Sequence, residues 1–98
     1  MSVPMGTRVT EGTDLSLTTA NVAEIVFAAN KSRHVFIYSN TSDTLQYVRF
    51  HDSSDAAAAV GVPVAAGATL LLNGQACPTN RVTAVCAVND KTYYAVQG

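Results

Sequence analysis

The sequence predicts an all-β fold: a single-domain antiparallel β-sandwich or jelly-roll-like barrel of seven to eight short strands, preceded by an extended N-terminal arm. Three observations carry this. The run Val35-Phe36-Ile37-Tyr38 is bulky and apolar at consecutive positions. In an extended strand this puts hydrophobic groups on both faces and requires a layer, or another subunit, against each. Short apolar runs alternate with Asn, Asp, Gly, Ser and Pro clusters at sandwich-like intervals, and helix-period patterning is absent.

A chain of 98 residues supports one core and no second domain. Residues 1–13, with Pro4, Gly6 and Gly12 and little periodicity, read as an arm; residues 14–98 form the sandwich. Residues 15–19 and 22–28 are the first strand candidates. In the second, Ala23, Ile25 and Phe27 share one face and Val22, Glu24 and Val26 the other, with Glu24 marking the outward side. Asn30-Lys31-Ser32 turns the chain into a strand over 33–39. The polar cluster Asn40-Thr41-Ser42-Asp43 breaks it before a strand over 45–51, and these two are expected to pair as a hairpin.

Residues 52–63 read as a loop with at most one helical turn, because Asp55 can cap a turn of alanines while Gly61 and Pro63 stop it. Residues 69–72 lead into Asn73-Gly74, the dipeptide that most favours a tight two-residue hairpin, and Pro78 ends the short return segment. Over 81–88, Val82, Ala84, Cys86 and Val88 share one face and Thr83 and Val85 the other. The last strand, 92–97, is entered through Asn89-Asp90-Lys91. Adjacent Tyr93 and Tyr94 lie in one strand, so at least one of them is expected to face away from the core.

So many strands leave sheet edges, which natural proteins protect by charge, by coverage or by pairing with another chain. Charged residues make up 13% of this chain, against roughly 25% in typical soluble domains, so coverage or pairing is expected. A net charge of −1 with scattered basic residues gives no electrostatic reason to expect nucleic acid or an anionic membrane as partner. The N-terminus lacks the pattern of a secretory signal, and no apolar run approaches the roughly 20 residues of a membrane-spanning helix. The chain therefore reads as made and assembled in the cytoplasm, with Cys77 and Cys86 reduced.

No pattern of catalytic residues stands out, and no enzymatic activity or cofactor is expected. His34, His51, Asp52 and Asp55 are the residues able to form a metal or acid–base cluster, but their spacing matches no known site. There is no Cys-x-x-Cys, no His-Glu-x-x-His, no phosphate-binding glycine loop and no Gly-x-Ser-x-Gly nucleophile elbow. Arg33 and Arg49 are placed to pair with Asp43 or Asp52, or with a partner's carboxylate. Tyr38, Tyr47, Tyr93 and Tyr94 suit strand packing, sugar stacking or interface anchoring.

Several segments together carry a resemblance: Asn30-Lys-Ser-Arg33, Val35-Phe-Ile-Tyr-Ser-Asn40-Thr-Ser, Leu45-Gln-Tyr-Val48, Gly61-Val-Pro-Val-Ala-Ala-Gly67 and Pro78-Thr-Asn-Arg81-Val-Thr-Ala-Val. Over about residues 28 to 97 the chain resembles the small β-sandwich structural proteins of tailed bacteriophages. The resemblance implies a virion component, a decoration or cement protein on the capsid exterior that binds the major capsid protein or other virion proteins, as a homo-oligomer with a trimer favoured. A tail, neck or fibre-attachment component is the alternative, and a carbohydrate- or receptor-binding module lies outside that class. The contact surface expected on this reading is the arm with Arg8, the second face of the 33–39 strand with Arg33, Phe36 and Tyr38, and Tyr93 and Tyr94.

Overall fold

The computed structural model of the chain describes residues 10–12, 15–51 and 61–98. Two four-stranded antiparallel sheets pack against each other as a β-sandwich. The first runs in the order β1 (Thr10–Glu11), β10 (Tyr94–Gln97), β4 (Val35–Ser39), β7 (Thr69–Asn73). The second runs β3 (Glu24–Phe27), β8 (Arg81–Cys86), β5 (Gln46–His51), β6 (Val62–Val64). A two-stranded ribbon of β2 (Ser16–Leu17) and β9 (Lys91–Thr92) stands beside them. The described strands exceed the seven to eight expected, because Thr10–Glu11 and Val62–Val64 add short strands too brief to show periodicity and the 92–97 stretch is divided between β9 and β10.

Period-two alternation explains the core. Phe36, Tyr38 and Ala95 point inward from the first sheet, and Val48, Val64, Val82, Ala84 and Cys86 from the second, with Leu17 and Tyr93 joining from the ribbon and its exit. Each fully buried large apolar side chain contributes roughly 1.5–3 kcal/mol relative to exposure. Val82, Ala84 and Cys86 share the inner face as the alternation predicts, while Val88 lies past the strand end and is exposed. Cys77 and Cys86 are both buried free thiols.

Four local expectations give way. The strands on either side of Asn40–Asp43 do not pair: β4 belongs to one sheet and β5 to the other. The buried Asn40 side chain explains this, since its Nδ2 donates to the Thr44 and Val64 carbonyls, both at 2.8 Å, while Oδ1 accepts from the Ser42 amide and hydroxyl. That network shapes a crossover between layers. Asn73-Gly74 also closes no hairpin. A two-residue turn of the favoured type needs positive φ at both central residues, yet Asn73 is extended at φ −143° and only Gly74 is left-handed at 61°. The chain instead enters a 3₁₀ turn, Gly74–Ala76, and crosses to β8 in the opposite sheet.

In β3 a register shift between Ile25 and Phe27 breaks the alternation. Val26 and Phe27 are both buried, Ile25 is 56% exposed, and the Glu24 carboxylate, expected to mark the outer side, accepts from the Thr18 amide at 2.7 Å. A bulge of this kind adds one residue and reverses the faces beyond it. Finally, two loop-like regions contain strands. Val62–Val64 adds an edge strand to β5, a position that tolerates Pro63. Thr10–Glu11 pairs with β10, with the Gly12 amide donating to the Ala95 carbonyl at 2.8 Å, so residues 10–12 of the 1–13 arm are attached to the sheet. The rest of that arm, and the alanine turn capped by Asp55, lie outside the described residues.

Candidate contact surface

Phe36, Tyr38 and Tyr93, expected at an interface, are interior. Phe36 and Tyr38 are fully buried and Tyr93 is 3% exposed. Their rings form a continuous stack, Tyr93 over Tyr38 at 5.1 Å and Tyr38 over Phe36 at 6.4 Å, with Phe27 and Phe50 edge-on to Phe36. The Tyr38 hydroxyl donates to Gln46 Oε1 at 2.7 Å. Burial first, then the neighbouring Tyr93 and Cys86, push its ionisation well above the ordinary phenol range. The second face of β4 is therefore Val35, Ile37 and Ser39 rather than Phe36 and Tyr38.

Arg33 is also interior, 3% exposed. Its guanidinium donates to the carbonyls of Ala28, Pro78 and Asn80 and to Gln97 Oε1, at 2.7–2.9 Å. It ties the ends of both sheets together and is not paired with Asp43. Asp43 instead accepts from Lys91 Nζ at 2.7 Å, while Asp52 lies outside the described residues. Of the expected anchors among the described residues, Tyr94 alone is on the surface, 40% exposed, where partial desolvation and Glu11 raise its ionisation. Arg8 lies outside the described residues.

The histidines are not brought together. His34 precedes β4, its Nδ1 3.1 Å from the Ser32 carbonyl, and His51 ends β5 in the other sheet, its Nε2 2.9 Å from Thr83 Oγ1. Asp55, like Asp52, is outside the described residues. Among the described residues no group of His, Cys, Asp or Glu is arranged to hold a metal ion, and no helix is long and apolar enough to cross a membrane.

Two outer faces remain. On the second sheet the register aligns Ile25, Thr83 and Arg49 in one row and sets Arg81 opposite His51 in the next. Beside them Ile25, Ala28, Ala29 and Arg81 line an open cleft of about 350 Å³. Of these, Arg81 has its Nε buried with no hydrogen-bond partner. Neither Arg49 nor Arg81 is paired with a described carboxylate. A buried donor without an acceptor is costly, so the cleft is suited to an acceptor carried on an apolar segment, above all a carboxylate that a guanidinium can hold through two parallel bonds. The sequence held no sign of it, because Ile25 reaches this face only through the bulge.

On the first sheet Val96, Ile37 and Leu71 form an apolar row across three strands, ending at Leu71, which is 57% exposed. Tyr94, Ser39 and Thr69 form the neighbouring row. In comparisons with known proteins, the chain matches no family model, no curated protein and no solved structure.

Proposed function

We propose that this chain is a non-catalytic virion structural protein, a capsid decoration protein that binds the major capsid protein on the outside of an assembled bacteriophage head and stabilises it. The observation that carries the reading is the cleft on the outer face of the second sheet, where Arg81, its Nε without a hydrogen-bond partner, meets apolar walls beside Arg49. Such a surface fits an acidic and apolar patch on a protein. The low charge of the chain and the exposed Ile25, Val62, Leu71 and Val88 suit a molecule that works packed against neighbours. A protein that binds the intact lattice more tightly than its loosened form raises the free energy of rupture by mass action.

The alternative place in the virion, at the tail, neck or fibre attachment, would use the same cleft on a different partner. A glycan-binding role draws less support, since Tyr38 and Tyr93 are core residues and cannot offer a stacking platform.

The test is co-sedimentation with purified heads lacking accessory proteins. The wild-type chain is expected to pellet with heads, and Arg81→Glu to weaken this by about tenfold or more, the equivalent of about 1.4 kcal/mol. Binding to tails but not heads would move the protein within the virion. Absence of binding to either, or binding untouched by Arg81→Glu and Arg49→Glu, would overturn the reading.

A further inference from the structure

Among the described residues β7 is an edge strand of the first sheet. The Asn40 amide donates to the Ala68 carbonyl at 2.9 Å and the Gly74 amide to the His34 carbonyl at 2.8 Å. With the register of β4 and β7, these make Tyr38/Leu70 and Phe36/Leu72 the hydrogen-bonded pairs of the ladder, since such pairs recur at every second residue. The opposite edge of β4 agrees: Val35 and Gly98 exchange both bonds at 3.0 Å. The amides and carbonyls of Thr69, Leu71 and Asn73 therefore point away from β4, toward an edge that no described strand covers.

The other edges carry the usual protections. β1 is two residues long and bears Glu11, β3 carries Glu24 and the bulge, and β6 contains Pro63. β7, Thr-Leu-Leu-Leu-Asn, has no charge and no proline, the combination that natural sheets avoid on an edge left in water.

We infer that β7 pairs antiparallel with β7 of a second copy of this chain, about a two-fold axis at Leu71. The register is self-complementary: Leu71 opposes Leu71 of the second copy, and Thr69 opposes Asn73 on either side. Each of the three pairs exchanges two hydrogen bonds, which uses every outward-pointing backbone group of the strand. No charge meets a like charge. On the outer face the row Val96, Ile37, Leu71 continues without interruption into its symmetry mate, covering the exposed leucine. The two sheets become one of eight strands. Such an isologous contact closes with two copies, so it makes a dimer rather than the trimer that the phage resemblance implies. It stands independently of capsid binding, which uses the other sheet.

Light scattering on the full chain over a dilution series, with amide hydrogen exchange read residue by residue, tests this. The expected mass is twice that of one chain, falling to one on dilution. Amides of Leu70 and Leu72 should be protected at every concentration, and those of Thr69, Leu71 and Asn73 only where the dimer forms. Leu71→Lys, placing two ammonium groups at the axis, should return the single-chain mass with an unchanged β circular-dichroism spectrum, while Ile25→Lys on the other sheet leaves the dimer intact. A monomer at all concentrations, a trimer, or a dimer indifferent to Leu71→Lys would overturn the inference. So would outward amides that stay fast in the wild-type dimer, a result that holds even if the variant fails to fold. Protection of those amides only after capsid addition would assign the edge to another protein and overturn it equally.

Discussion

The Tyr38 hydroxyl and the Gln46 side-chain carbonyl, both fully buried, are joined by a 2.7 Å hydrogen bond that spans the two sheets at the centre of the core. Gln46 Nε2 is held in turn by the Thr92 carbonyl at 2.9 Å and by Ser42 Oγ at 3.1 Å. A polar group this deep is tolerable only when every partner is present. Tyr38→Phe keeps the ring stack but strips the acceptor on Gln46 of its donor, and is expected to cost about 1–3 kcal/mol, measured by urea unfolding.

The same hydroxyl gives the fold an alkaline limit. Burial raises the folded-state ionisation of Tyr38 above its unfolded value, so its contribution is complete below the ordinary phenol pKa of about 10 and is lost as pH rises beyond it. There the unfolded chain releases the proton and the folded chain does not. Spectrophotometric titration should show Tyr38 ionising only with loss of the β signal, and Tyr38→Phe should remove that component.

Arg33 does for the sheet ends what Gln46 does for the centre. Three backbone carbonyls and Gln97 depend on one planar guanidinium, a geometry that an ammonium cannot reproduce. Arg33→Lys is expected to destabilise the fold by at least about 2 kcal/mol, through buried carbonyls left without donors. Thermal unfolding of the variant checks it. A loss confined to capsid or self-association, with stability unchanged, would contradict the structural role.

Gly61 and Gly67 both have positive φ, 127° and 77°, but their surroundings differ. A Cβ at Gly61 would collide with the Val48 carbonyl, which is backbone and cannot move aside, whereas a Cβ at Gly67 meets nothing. Gly67→Ala should cost only the conformational penalty, roughly 1–2 kcal/mol. Gly61→Ala should cost more and should release β6 from β5, seen as faster amide exchange at Val62 and Val64.

The all-β class and most strand positions were legible because alternation and turn residues act locally. The inward set Val82, Ala84 and Cys86 could be read directly from spacing, and so could the opposition of Tyr93 and Tyr94. Partnership could not. Asn40 and Asn73-Gly74 look like hairpin turns, yet what decides them is the Val64 carbonyl for one and the φ of Asn73 for the other. Phe36 and Tyr38 looked available to a subunit because both faces of their strand are apolar; only the packing of the second sheet distinguishes the inner pair from Val35 and Ile37. The Arg81 cleft depends on a bulge that no residue in β3 announces.

The crossover between β4 and β5 is fastened to the β2–β9 ribbon at its surface. Lys91 Nζ donates to Asp43 Oδ1 at 2.7 Å, and Thr41 Oγ1 donates to Thr92 Oγ1 at 2.8 Å. The hydrogen bonds from Lys91 and Thr44, then the charge of Lys91, hold the Asp43 carboxyl below the usual carboxylate range. Because the folded value is the lower one, the stabilisation is present above the unfolded carboxylate pKa and is lost as pH falls through the folded one. Asp43 is 81% exposed, so the effect is small and screened by salt. Lys91→Met should raise the Asp43 midpoint in a carboxyl NMR titration. Its melting temperature should fall slightly below wild type at neutral pH and low salt, and the difference should close both in acid and at high salt. A difference that persists at a pH where Asp43 is protonated would mean that Lys91 acts through packing of its stem on the ribbon rather than through its charge.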